Sequence, residues 1–342
     1  MRTNAGPLPV LRGALLHGAL AALVGGCAQN TAVTLTPPQR LELETRALDL
    51  LQRAARSDVD VVCCNALEAL VRVAPRSSLP AFRSATQSAS PLVRYAGFAA
   101  LGEVRDRDSL AAMTSGVNDV MPRVRLAAAF AAARCGKPGY VRVLVHGLTD
   151  TPDENLRADA AYLLGRLDEP RAVKALRAAL HLPANEKSKR ATLHINWALA
   201  MLGQGDAASE LVRYAQGDAA TRVDALLILA ELGRPDTRDA LLYRLGAGED
   251  YVETRLIVAR GLGKIGRRDG YELACGMLSY ADPKPDPDDP DRAMRVRSLA
   301  AHALGEIGDP QALPLLRDMA ATETDERLQV AACYAICRIL KH

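Results

Sequence analysis

Aromatic residues are scarce in this chain of 342: one Trp, three Phe and nine Tyr make up 4% of it. No run alternates β-branched with polar residues over the length of a strand, so nothing supports a sheet. There is no C-x-x-C pair, and His146, His181, His194 and His302 are scattered without metal-ligand spacing, so no zinc or redox site is expected. Charge of one sign is also lacking. The formal net charge is +3, and about +1 once Arg2 and Arg12 are set aside, which gives no electrostatic case for nucleic acid. Neither a nucleophile elbow nor a catalytic carboxylate pair occurs. No apolar run reaches the roughly 20 residues that a membrane-spanning helix needs.

What remains is alanine, leucine and a repeat. Its cleanest copy is Val296 to Pro310, VRSLAAHALGEIGDP. Taking Arg297 as the anchor, Ala300, Leu304 and Ile307 fall three, seven and ten residues on and share one helical stripe. Gly305 and Gly308 follow at eight and eleven, so the unit reads as an amphipathic helix with a glycine stop. Equivalent anchors are Cys63, Arg94, Arg125, Arg157, Ile195, Arg222, Arg255, Arg297 and Arg327, on average 33 residues apart, a period that marks helical solenoids. The third position is small in most copies (Ala66, Gly97, Ala128, Ala160, Ala198, Ala225, Ala300). The seventh is mostly leucine (Leu70, Leu101, Leu164, Leu202, Leu229, Leu262, Leu304).

The segments VRYAGFAALGEV, LRADAAYLLGRLDEPRA, TRLIVARGLGKIG and VRSLAAHALGEIGDPQA resemble HEAT repeats, in particular the short HEAT-like repeats also found in phycobilin lyases. The resemblance implies an all-α chain, a right-handed α-solenoid of about nine helix pairs. In it the anchor-bearing helices form the inner, concave row, and outer helices fall near 77–88, 108–118, 139–149, 171–181, 206–217, 236–246, 269–280 and 311–321. It also implies a scaffold for a protein or peptide partner. The alternative is a non-catalytic subunit or lyase-like enzyme of the phycobilin-lyase type. With no catalytic constellation visible, the expectation is a non-enzyme without cofactor or metal.

Residues 1–26 read as a bacterial secretion signal, with Arg2 and Arg12 followed by the apolar stretch Gly13 to Val24. The segment ends Leu23-Val24-Gly25-Gly26-Cys27, which resembles the lipobox of bacterial lipoproteins and makes Cys27 the expected site of lipidation. Ala28 in place of an inner-membrane-retaining aspartate points to the outer membrane, facing the periplasm. Residues 27–38 then form a flexible tether and 39–342 the solenoid.

Aspartates 119, 153, 218, 250, 291 and 325 stand shortly before anchors, where a carboxylate caps a helix. The anchor arginines are expected to bond these or neighbouring acids. Two insertions, 182–190 and 281–292, read as polar loops; the five aspartates of the second lack the glycine and distal glutamate of an EF-hand. Gly261 to Gly266 matches G-x-G-x-x-G but lies at a helix end, on the repeat's own glycine positions, unlike a dinucleotide loop. The fifth position runs Glu68, Ala99, Phe130, Tyr162, Ala200, Leu227, Arg260, His302, Ala332 and faces away from the helix pair. Together with Tyr95 and Trp197 it predicts an apolar ladder on the concave face, Tyr95, Phe130, Tyr162, Trp197 and Leu227, as the partner-binding site. The charged ninth row (Arg72, Glu103, Arg134, Arg166, Glu231, Lys264, Glu306) would flank that ladder.

Overall fold

The computed structural model describes residues 35–247 and 251–341, so Cys27 and Asp250 lie outside the described residues. Helices account for about three quarters of the described backbone, and no strand occurs among the described residues. The first four outer–inner pairs are α1/α2 (Pro37–Ala54, Asp60–Val73), α3/α4 (Leu79–Ala85, Pro91–Val104), α5/α6 (Leu110–Gly116, Pro122–Arg134) and α7/α8 (Val141–Thr149, Glu154–Gly165). The fifth joins α9 (Ala172–Leu180) to α11 (Lys189–Met201) through the one-turn α10 (Pro183–Glu186). The last four are α12/α13 (Gly205–Gln216, Ala219–Leu232), α14/α15 (Arg238–Gly246, Val252–Lys264), α16/α17 (Tyr271–Met277, Arg292–Ile307) and α18/α19 (Leu313–Thr322, Glu326–Lys341). Several outer helices start a few residues later than their sequence pattern, because a 3₁₀ turn occupies the entry, as at Arg107–Ser109 and Pro310–Ala312.

Two local corrections follow from side-chain chemistry. The solenoid begins before residue 39: Pro37 and Pro38 fill the first turn of α1, where a missing N–H loses no bond. Gln39 Oε1 accepts from the Thr36 backbone N–H at 2.9 Å, one half of a capping box. The insertion at 182–190 is not a solvated loop either. Its Asn185 is fully buried, accepts from Arg157 Nε at 2.7 Å and donates to the Ala179 carbonyl at 2.9 Å.

Three of the anchors are loop clamps. Arg94, Arg125 and Arg157 each donate to the carbonyls five and six residues upstream, at 2.8–3.2 Å. Those carbonyls belong to the turn that leads into the same helix and would otherwise lack partners. Arg94 also forks onto Asp119 of the next pair at 2.8 and 3.0 Å, and Arg297 reaches Glu323 of the next pair. Asp153 and Asp218 cap α8 and α13 through backbone N–H groups, as their positions predict. In the 281–292 insertion, Asp282, Asp289 and Asp291 accept from Arg292, Arg295 and Arg327.

The two rows do not end open. Helix α19 packs on α17 on one side and on α1 and α2 on the other. Arg40 Nη2 donates to the Leu340 carbonyl at 3.1 Å, Ser57 Oγ to Glu326 Oε2 at 3.1 Å, and Lys341 Nζ to the Val73 carbonyl. Cys333, Ile336 and Cys337 share one core with Ala47 and Leu51. Residues 35–341 therefore form a solenoid closed on itself, with nine inner helices, all running the same way, as the wall of a central lumen. The concave face expected to be an open groove is that lumen.

Closure has a local cause. Inner helices meet at their smallest residues: a Cβ placed on Gly165 would stand 2.7 Å from Ala198 Cα, and one on Gly305 2.8 Å from Ala335 Cα. Gly305 is thus a contact point inside α17, and only Gly308, at φ 76°, is the helix stop. Outer helices bury bulkier groups such as Phe82, Met113, Leu176 and Leu316. An inner row spaced more tightly than the outer row turns each pair against the last, by roughly 40° when nine pairs complete a circle.

The seventh-row leucines Leu164, Leu229 and Leu304 are fully buried. Changing any one to alanine leaves a cavity in a different part of the ring, and each variant should lose about 2–5 kcal/mol in chemical denaturation. A loss below about 1 kcal/mol in all three would contradict this packing.

Candidate functional site

Lumen-facing side chains form one stripe at helical spacing on the inner helices, as with Glu68 and Arg72 of α2, Tyr95, Ala99 and Glu103 of α4 and Arg260 of α15, whereas Leu126 and Ile336 pack toward the outer helices. Between α2, α4, α6 and α8 the lumen-facing groups enclose a cavity of about 390 Å³. Its upper wall is apolar, with Leu92, Tyr95, Ala96 and Ala99, and Phe130 and Tyr162 close it on the far side. Its floor is ionic, formed by Glu68, Arg72, Glu103 and Arg166. Arg123 lies over the Tyr95 ring with its guanidinium carbon 5.7 Å from the centroid, and also pairs with Asp159.

The expected ladder is only partly a surface. Phe130 is wholly buried and Trp197 is 2% exposed, so neither can present itself to a partner. The reason is the tight spacing of the inner row. Neighbouring inner helices cover both rings, Tyr162 stacking on Trp197 and α4 approaching Phe130 at Gly102, and Ala200 and Ala332 are buried as well. Trp197 stacks on Tyr162, with centroids 4.7 Å apart and 16° between planes, and lies against Gly165, where a Cβ would come within 3.0 Å of its ring. Tyr95 and Tyr162 are half-buried and line the cavity; burial pushes the Tyr162 hydroxyl up to about 12. Only Leu227, 51% exposed, faces solvent as expected.

The ninth row proves to be the ring's internal bonding. Glu103 joins α4 to α8 through Arg166 (2.8 Å) and approaches Arg134 of α6 (3.9 Å). Glu231 of α13 takes Lys264 at 2.6 Å, Arg260 at 3.6 Å and, from across the lumen, Arg72 of α2 at 3.0 Å. Glu306 of α17 takes Tyr334 Oη at 2.7 Å and Arg338 at 2.9 Å. Residues 72 and 231 belong to helices far apart in the chain, and only closure brings them together. Burial alone would raise the Glu231 carboxyl, but Lys264, Arg72 and Arg260 outweigh it and hold the group at about 2. Glu306 is likewise lowered against its burial, by Tyr334 and Arg338. Burial also lowers Lys264, with Glu231 opposing. The sequence register puts Tyr334 on the buried seventh row and leaves Arg338 off the ninth, because it anchors α19 on Arg327. The residue that clamps the carbonyl six upstream is Gln329, and counted from it Tyr334 and Arg338 are the fifth and ninth positions.

His302 sits in this network, its ring 5.2 Å from that of Tyr334. Burial first, then Arg260, takes its imidazole from 6.5 down to about 3. The unfolded chain therefore binds a proton near pH 6.5 that the fold refuses, so stability is full above 6.5 and falls as the pH drops toward 3. Glu231 acts lower, its contribution being lost between 4.5 and about 2. His194, also lowered by burial, moves the same way as His302. Between pH 6.5 and 5 the melting temperature of the wild type should fall, and His302→Gln should flatten that slope, by up to about 1.4 kcal/mol per pH unit. An unchanged slope would show His302 to titrate freely.

Twelve large apolar residues are exposed among the described residues. Nine of them, Val59, Val61, Leu92, Val120, Met121, Met201, Val223, Leu227 and Tyr251, lie on the inner helices or the turns that enter them, seven at or near the N-terminal ends, with Leu227 mid-helix and Met201 at a C-terminal end. Since the inner helices run in parallel, the seven at or near the N-terminal ends lie toward one rim of the ring, spread over α2, α4, α6, α13 and α15.

A model of HEAT repeats matches residues 47–120, 110–195 and 288–337. Among solved structures, human deoxyhypusine hydroxylase in complex with glycerol is similar at 17% identity and a TM-score of 0.37, covering 80% of this chain and 99% of the other. The complex of CpcE and CpcF of phycocyanin lyase from Nostoc sp. PCC7120 is similar at 18% identity and a TM-score of 0.41, covering 78% and 95%. A search of curated proteins finds no match.

Proposed function

We propose that this chain, which belongs to the HEAT-repeat family, is a lipid-anchored scaffold of the bacterial cell envelope that holds a protein or peptide partner against the apolar rim of its ring. The observation that carries the reading is the crowding of exposed apolar side chains onto the inner-helix entries. Surface apolar residues scattered singly need no explanation, whereas a concentration of them along one rim marks an interaction surface. The helix N-termini on the same rim add partial positive charge, which favours a partner with acidic flanks. Tyr95 and Leu92, at the upper wall of the cavity, would receive a side chain inserted from this rim. The lipobox-like segment at Cys27 supports tethering to the outer membrane, and with it a partner in the periplasm.

Two arms of one experiment test this. In-cell cross-linking should trap a defined partner on the wild type. Leu92→Asp and Tyr251→Asp, at the entries of α4 and α15, should lower the yield at least tenfold, while Leu41→Asp, on an exposed apolar residue of outer helix α1, should not. Cys27→Ala should abolish lipid labelling and release the protein from membranes. Equal cross-linking in the rim and control variants would overturn the docking reading, and an unlipidated wild type would overturn the anchoring.

A further inference from the structure

Charges in the seam half of the lumen do not balance. Arg72, Arg260, Lys264 and Arg338 form one connected network with only two carboxylates, Glu231 and Glu306. Glu68 stands 3.6 Å from Arg72, but its side chain is 69% exposed and screened by water. His302 adds no compensating charge. The negative ends of the inner helices relieve Lys264 and Arg338, which lie in or near the last turn, but the effect fades within one turn. Arg260 and His302 sit a turn or more before the ends of α15 and α17.

The same cluster contains three fully buried polar atoms without a hydrogen-bond partner, Nε of Arg260, Nε of Arg338 and Nδ1 of His302. A buried donor left unmade is costly, and guanidinium donors are seldom left so. A cavity of about 90 Å³ opens beside Arg260 and His302, though not beside Arg338, lined by these two with Arg72, Tyr334, Asn65, Glu68, Ala69 and Val330. That is room for about three waters, or for one small oxyanion.

We propose that this cavity is a binding site for a small oxyanion of the carboxylate or phosphate class. Arg72 and Arg260 supply the forked donors that match such a group, and the neutral imidazole of His302 and the amide of Asn65 supply further N–H groups. The anion restores charge balance at the point where the first, seventh, eighth and ninth pairs meet, so it also strengthens closure. This site does not depend on the docking reading, because it needs no macromolecular partner.

The test is the melting temperature of the full chain titrated with inorganic phosphate and, separately, succinate, each against sodium chloride of equal ionic strength. A saturable rise above the chloride control is expected with at least one, and the stronger of the two identifies the anion class. Arg260→Gln should weaken that response at least tenfold, yet melt no lower than the wild type without anion, since it removes an unbalanced charge. Glu68→Gln, at an exposed position that leaves the fold intact, should tighten binding several-fold by removing the carboxylate at the cavity wall. The proposal is overturned if neither anion exceeds chloride, or if a folded Arg260→Gln responds like the wild type. Should Arg260→Gln fail to fold, Glu68→Gln decides, and unchanged or weaker binding there overturns it.

Discussion

Everything in this ring depends on how closely adjacent inner helices approach. Packed helices in proteins usually keep axes 8–10 Å apart, with the distance set by the side chains at the contact. Here the contact falls on glycine and alanine, at Gly102 against Ala131, Gly165 against Ala198 and Gly305 against Ala335. The outer row, separated by phenylalanine, methionine and leucine, cannot follow as tightly. The difference between the rows is curvature, and over nine pairs it brings α19 back to α1 and α2.

Closure then decides what the concave side chains do. On an open superhelix the ninth-row charges would be solvated and worth little. Inside a ring they face one another with water largely excluded, and each must find a partner or burden the fold. Most do, through Glu103, Glu231 and Glu306. The aromatic groups of the fifth and second rows are covered by neighbouring inner helices, which is why Trp197 and Phe130 belong to the core and most exposed apolar groups of the inner row lie toward the rim.

The helix pairs and most of the buried rows were legible in the sequence, because each is a local pattern repeated along the chain. The register slipped in α11 and α19, whose anchor positions hold no arginine, so that Leu202 falls past the end of α11 and Tyr334 faces the lumen. Arginine anchors could be placed beside their turn aspartates for the same reason. Closure was not legible, since it is a sum of small rotations, and a few degrees per pair separate a ring from an open spiral. One signal did point to it: arginine and glutamate recur at the same offset in helices far apart in the chain, at Arg72 and Glu231. Opposite charges in register across a repeat array have a purpose only if the array brings them together. The burial of Asn185 was hidden by its setting in a polar, lysine-rich insertion, where nothing marks one residue as a buried partner for Arg157.

The central claim is that residues 35–341 close on themselves, and the most direct test is a double-mutant cycle between Arg72 and Glu231. These residues are 3.0 Å apart in the ring and would not touch in an open solenoid. Stabilities of Arg72→Gln, Glu231→Gln and the double variant, by chemical denaturation, give their coupling free of other losses. Closure predicts a favourable coupling on the order of 1–3 kcal/mol, whereas additivity within about 0.3 kcal/mol would mean that the two helices never meet.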